Sequence, residues 1–176
     1  SQHPRIADGT AVSPETVFKT LETIPGVKAP AHLRRFTRLD FGPNPDVPTN
    51  IPPKIGGLYP NLVSAVDGDG NETSGIRMPY ITVPLATYTG WNLRHSGIGG
   101  GGEIMSTGGS SGGTLKGSTI PFPATAEERQ AAGDPRLSVE ERYGSKEGYL
   151  SKIEEAAQGM VDEGYLLSKD VATVME

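Results

Sequence analysis

The chain has 176 residues, room for one domain, and 16 Lys+Arg against 21 Asp+Glu give a net charge of -5. That mild acidity argues against a nucleic-acid surface, which needs clustered positive charge to displace counterions, and against a basic membrane patch. With no cysteine present, disulfides, thiolate nucleophiles and Cys-based zinc sites are excluded, though the compartment is not thereby fixed.

No apolar run approaches the roughly 20 residues needed to cross a bilayer. No leader is visible, and Ser1 opens the chain in place of Met, so a removed leader or a longer upstream region is expected. Glycine (24) and proline (15) are abundant, while hydrophobic residues make up only 35%. Glycine offers no side chain to a core, so the composition describes a chain draped over something else, with a thin core of its own.

In chain order, residues 1–12 read as an extended opening with a turn at Asp8-Gly9. Ser13-Pro14-Glu15 starts a helix: Ser at the cap, Pro at the first helical position, an acid in the first turn. Val17, Phe18 and Leu21 give it an apolar face, and Pro25-Gly26 stops it. Residues 27–60 hold seven of the fifteen prolines and read as a Pro-rich extended arm, because proline removes amide donors and blocks helix and central strand. The basic cluster Arg34, Arg35 and Arg38, with His32 nearby, reads as a solvated or carboxylate-paired turn.

A β-hairpin is expected next. Leu58 to Val66 leads into the turn Asp67-Gly68-Asp69-Gly70-Asn71, and Gly75 to Leu85 returns, with Tyr80 to Leu85 β-rich. Asp67, Asp69 and Asn71 also fit the first three ligand positions of a calcium loop. Glu72 stands where such a loop needs Gly and Met78 where it needs its closing acid, so a turn bonding its own backbone is the better reading and no metal is expected. Ten glycines follow between Gly97 and Gly117, a stretch either mobile or closely approached by something else. In the C-terminal third, Thr125 to Glu128 and Ser138 to Glu141 read as capping boxes. Ser145 caps the longest helix, whose apolar stripe runs through Tyr149, Leu150, Ile153, Ala156, Ala157, Met160 and Val161. Gly164 ends it, and a last short helix begins at Ser168 to Asp170.

Candidate chemistry is sparse. Gly109-Ser110-Ser111-Gly112-Gly113 spells a nucleophile elbow but lacks the strand before it and the helix after it, so it reads as an accident of composition. Gly97 to Gly102 spells a dinucleotide fingerprint, equally without its flanking elements. His3, His32 and His95 lie far apart without metal-ligand spacing. Tyr88, Trp91, Asn92 and Arg94 form the densest mix of aromatic and polar groups. They read either as a pocket mouth that binds substrate or, for the only Trp, as a structural plug.

The run Val83-Pro84-Leu85-Ala86-Thr87-Tyr88-Thr89-Gly90-Trp91-Asn92-Leu93-Arg94 resembles a signature segment of the alpha/beta-hydrolase-domain proteins. So do Pro4 to Thr10, Asp67 to Glu72, Gly75 to Pro79, Ile120-Pro121-Phe122, Ala126 to Arg129, Gly133-Asp134-Pro135-Arg136 and Glu140 to Tyr143. Together they cover most of the chain in order. The resemblance implies an α/β fold class, the chain being the C-terminal portion of one alpha/beta-hydrolase domain. It divides into an extended arm (1–60), a hairpin and aromatic segment (61–96), a Gly-rich loop (97–118) and a helical tail (119–176). In that family such a segment lies after the triad histidine, with nucleophile and acid further upstream, so no catalytic residue is carried over. The Gly-rich stretch is longer and richer in glycine than the family pattern. The implied function is part of a serine hydrolase, esterase-like, acting on a small-molecule ester or amide. Its partner is the upstream catalytic part of the same protein, and no cofactor is needed. The resemblance leans to an exported or periplasmic location. The alternative is a non-catalytic binding or interaction module contacting its ligand through residues 88–94.

Overall fold

A computed structural model of the protein describes residues 4–30, 35–44, 46–93, 95, 97 and 117–175. The opening is not extended. Pro4–Ala7 forms a short helix, α1, closed by the Asp8 amide donating to the Pro4 carbonyl at 3.0 Å. The expected turn follows, with the Asp8 carboxylate accepting from both the amide and the hydroxyl of Thr10 (2.9 and 2.6 Å). Strand β1 (Ala11–Val12) then leads into α2 (Pro14–Leu21), which has Ser13 at its cap and Pro14 at its first position. The Ser13 hydroxyl meets Thr16 Oγ1 at 3.2 Å and caps no backbone amide. Val17, Leu21 and Ile24 are buried and form the centre of a small core, with Phe18, Val63, Val66, Trp91 and Ile120 packed around them.

The Pro-rich arm is not uniformly coil. Strands β2 (Thr37–Asp40) and β3 (Lys54–Leu58) pair antiparallel within it, Leu39 facing Ile55 and Asp40 facing Lys54. Both strands fall in proline-free windows, and the intervening prolines occupy the connection, where no ladder amide is needed. Within the basic cluster, Arg35 approaches Glu15 at 3.9 Å with both side chains largely exposed, and Arg38 donates to the Gly56 carbonyl. His32 and Arg34 lie outside the described residues.

The expected hairpin of residues 61–96 is also corrected. Strand β4 (Val63–Ser64) pairs with β1, not with the returning segment. Pro79–Thr82 forms a helical turn, α3, because Pro79 suits a first helical position and has no amide to give a strand. The strand begins later, at β5 (Ala86–Thr89), and its partner is β6 (Ser118–Pro121), in the register Ala86–Pro121 to Thr89–Ser118. Three two-stranded antiparallel sheets are the sheet structure among the described residues.

The C-terminal third follows its caps. Thr125 accepts from the Glu128 amide to start α4 (Ala126–Ala132), which ends on left-handed Gly133; the Glu128 carboxylate accepts from the Ala124 amide and not from that of Thr125, so the expected box here is half closed. Ser138 and Glu141 make a full capping box at α5 (Val139–Tyr143), and Ser145 accepts from Gly148 at the start of α6 (Lys146–Asp162). Ile153, Ala157 and Met160 form the buried stripe of α6, which packs on α3. A 3-10 turn (Ser168–Asp170) and α7 (Val171–Val174) close the described chain.

One polar node holds these pieces together. Arg136, 3% exposed, has five guanidinium N–H groups, and each finds an acceptor. Nε and Nη2 grip the Asp134 carboxylate at 3.0 and 2.6 Å, Nη1 reaches Thr87 Oγ1 and the Ile120 carbonyl (both 2.9 Å), and Nη2 also reaches the Pro121 carbonyl at 3.2 Å. The Thr87 hydroxyl in turn donates a hydrogen bond to the Asp69 carbonyl. Arg142 bonds the Asp69 carboxylate, and its guanidinium stacks over Phe122 at 4.4 Å. Burial works to raise the Asp134 carboxyl pKa, but the hydrogen bonds and charge of Arg136 outweigh it and hold it low. Glu141 is brought down to about 2, chiefly by the Ser138 amide and then by Arg129, which bonds it at 2.8 and 3.0 Å.

Arg136→Ala leaves the Asp134 carboxylate buried without its partner and is expected to cost about 3–5 kcal/mol in denaturant unfolding, with Arg136→Lys unable to restore the fork. Both lowered carboxyl groups favour the fold while ionised. Their contribution is complete above the ordinary values of 4.5 and 3.8; that of Glu141 drains away as the pH falls toward about 2, and that of Asp134 as the pH falls below its ordinary value. The melting temperature is therefore expected to drop over that interval, and to drop less in Glu141→Gln, as followed by circular dichroism.

Candidate functional site

The turn Asp67 to Asn71 builds the base of the site. Asp67 Oδ1 accepts from the amides of Asp69 and Asn71 (2.9 and 3.0 Å), and the Asp67 amide donates to the Asn71 carbonyl at 2.8 Å. The carboxylate is thus engaged in its own turn, as the sequence suggested. Among the described residues, no group of three or more His, Asp or Glu side chains has the grouping to hold a metal ion.

Asn71 is fully buried. Its Nδ2 donates to the Ala86 carbonyl at 3.0 Å and its Oδ1 accepts from the Tyr88 amide at 2.8 Å. The carboxamide therefore pairs with the free edge of β5 as a neighbouring peptide would, finishing an edge that otherwise faces an apolar core. Gly70 lets the turn approach. Its φ is +81°, and a Cβ there would stand 2.7 Å from Leu21 Cδ2 and 2.9 Å from Thr87 Cγ2. No side chain fits between α2 and β5 at that point.

Three concavities meet on the end of β5. The first, about 170 Å³, lies between α2 and β5 and is walled by Val17, Phe18, Leu21, Val66, Tyr88 and Trp91. The second, about 500 Å³, also borders Tyr88 and Thr89, with Arg77, Tyr80 and Ser118 along it. The third, about 210 Å³, runs past Trp91, Asn92, Leu93 and Ile120. Thr89 lines all three. Its hydroxyl donates to the Trp91 carbonyl at 2.6 Å and accepts from the Ser118 amide, so the bend after β5 is pinned to β6.

The structure brings Tyr88, Trp91 and Asn92 to this corner, each half-buried, while Arg94 lies outside the described residues. Tyr88 stacks edge-on against Tyr80 at 5.8 Å, and burial raises its phenol pKa. Trp91 meets Phe18 edge-to-face at 6.3 Å and packs on the α2 core, so the plug and pocket readings of this residue coexist. His95 is exposed and its Nδ1 accepts from the Gly97 amide at 3.1 Å. His3, Ser110, Ser111 and the glycine run of 98–116 lie outside the described residues. Sequence reasoning missed the α2 wall and Glu72, because residues about 16–19 (Glu72) and 67–74 (α2) positions from Tyr88–Trp91 carry no local signal of meeting.

A family model described as an alpha/beta hydrolase domain matches residues 23–176. The chain belongs to that family. Membership supports a hydrolase-like function for this alpha/beta hydrolase domain protein. Searches of curated proteins and of solved structures found no match. Among the described residues, no helix is long and apolar enough to cross a membrane.

Gly70→Ala strains the left-handed turn and drives a methyl into Leu21 and Thr87. It is expected to lose about 1–3 kcal/mol of stability and to perturb the fluorescence of Trp91, the only Trp, on the far side of the same pocket.

Proposed function

We propose that this chain is the C-terminal part of a serine hydrolase that cleaves a small-molecule ester or amide by acyl transfer, with the catalytic triad outside the chain. In this reading the chain covers the hydrolase core, and Tyr88, Trp91, Asn92 and Arg94 border the active-site entrance and bind substrate. The observation that carries the placement is the convergence of three concavities on residues 88–92. Pockets lined mostly by apolar groups with a few fixed polar ones are the usual form of a small-molecule site. Family membership supports hydrolase-like chemistry, and acyl transfer on an ester or amide is our finer reading of it, since a fold by itself does not dictate a reaction.

The covering role draws support from the β2–β3 hairpin. Leu39 and Ile55 face each other across it with 50% and 79% of their surface exposed, and Phe36 and Leu58 are exposed as well. An exposed apolar cross-strand pair fits a face that another surface covers.

The full-length protein, treated with a fluorophosphonate probe, is expected to label on a serine upstream of this chain. Asn92→Ala in that protein is expected to lower kcat/KM about ten-fold, mostly through KM, without changing the melting temperature. Unlabelled protein that still binds a small ligand and melts higher with it would instead make the chain part of a binding module.

A further inference from the structure

The pocket between α2 and β5 has a shape and chemistry of its own. Its volume, about 170 Å³, is close to that of a benzene-binding apolar cavity, roughly 150 Å³. Val17, Phe18, Leu21, Val66 and the indole of Trp91 make its walls apolar. Glu72 is the one ionisable carboxylate among its lining residues, and its Oε1 lies 4.0 Å from where a side chain on Gly90 would begin. Gly90, which has no side chain, lines both concavities beside Glu72, whose side chain is exposed to solvent. Glu72 also lines the larger groove alongside, so the two concavities meet at its side chain.

We propose that this pocket binds a benzene-sized apolar group bearing a cationic or hydrogen-bond-donating substituent, the ring seated on Trp91 and Phe18 and the substituent held by Glu72. The proposal deepens the reading of Tyr88 and Trp91 as substrate-binding residues and rests on it. It makes the recognised portion of the substrate a single ring or a branched group of that size, with an amine or hydroxyl on the side of the larger groove. A carboxylate in that place meets the Glu72 charge and is rejected. Larger ring systems exceed the volume unless a wall is cut back.

Trp91, the only Trp of the chain, lines this pocket and also the concavity past Asn92 and Leu93, so variants at Val66 and Val17, which line this pocket and not that one, assign a change in its fluorescence to this site. Titration of the protein with 2-phenylethylamine is expected to give a saturable change in Trp91 emission, with phenylacetate binding about ten-fold more weakly. Glu72→Gln is expected to bring the two ligands to similar affinity. Val66→Phe fills the cavity and is expected to abolish the change while the circular dichroism spectrum stays native. Should Val66→Phe fail to fold, Val17→Ala widens the pocket and is expected to admit 2-(1-naphthyl)ethylamine, which the parent protein excludes. An absent or non-saturable signal overturns the proposal. So does phenylacetate binding as tightly as the amine, or binding unaffected by both cavity variants. None of these titrations needs catalysis. Their failure is therefore distinct from failure of the hydrolase reading, which is decided by fluorophosphonate labelling.

Discussion

The described chain depends on the burial of one guanidinium. Arg136 touches strand β5 through Thr87, strand β6 through the carbonyls of Ile120 and Pro121, and its own loop through Asp134. A cation taken out of water is tolerable only where every donor has an acceptor and the charge is balanced, and this site meets both conditions. Because the acceptors come from separate segments, satisfying the arginine fixes how those segments lie. The sheet β5–β6 has only four residue pairs, too few to be stable alone, and the guanidinium ties its end to the helical tail.

Asn71 does the corresponding work on the other edge of β5. A two-stranded ladder leaves each outer edge with unpaired amides and carbonyls, and here one carboxamide closes that edge at no cost in further strand. The turn that delivers Asn71 also carries Asp69, which Arg142 and the Thr87 hydroxyl both engage. Thus the turn, β5, β6 and α5 form one hydrogen-bonded unit. Every buried side-chain nitrogen and oxygen among the described residues has a partner. The candidate site sits at the end of this unit, where Thr89 and the Trp91 carbonyl fix the bend. Its apolar wall is lent by α2, so ligand affinity and α2 packing are coupled through Phe18 and Trp91.

Much of the local structure was legible in the sequence. Ser138 with Glu141, Thr125 with Glu128, Ser145, and the glycines at 133 and 164 marked helix ends where the structure has them, because capping is settled within four residues. The Asp67 to Asn71 turn was readable for the same reason. Two expectations failed where distant pairing decided. The proline count of the arm hid two proline-free windows that pair as a hairpin, and the strand at Val63–Ser64 pairs with Ala11–Val12 while Ala86–Thr89 pairs with Ser118–Pro121, in place of the hairpin expected between them. Tyr88, Trp91 and Asn92 stood out by composition, but Val17, Phe18 and Glu72 did not, since nothing local distinguishes a core residue from a pocket wall.

The sequence by itself determined the helix caps, the turn, the thinness of the core and the resemblance that the family match bears out. Each of these is written in neighbouring residues or in ordered motifs. Only the tertiary structure decided that β5 pairs with β6 across the glycine run, that Arg136 and Asn71 are the bonds between segments, and that α2 supplies the pocket wall. The bonds of Arg136 and Asn71 rest on donors and acceptors brought together from 15 to 49 residues apart, settled only when burial forces all of them to be satisfied at once, and the α2 wall rests on apolar packing against Trp91.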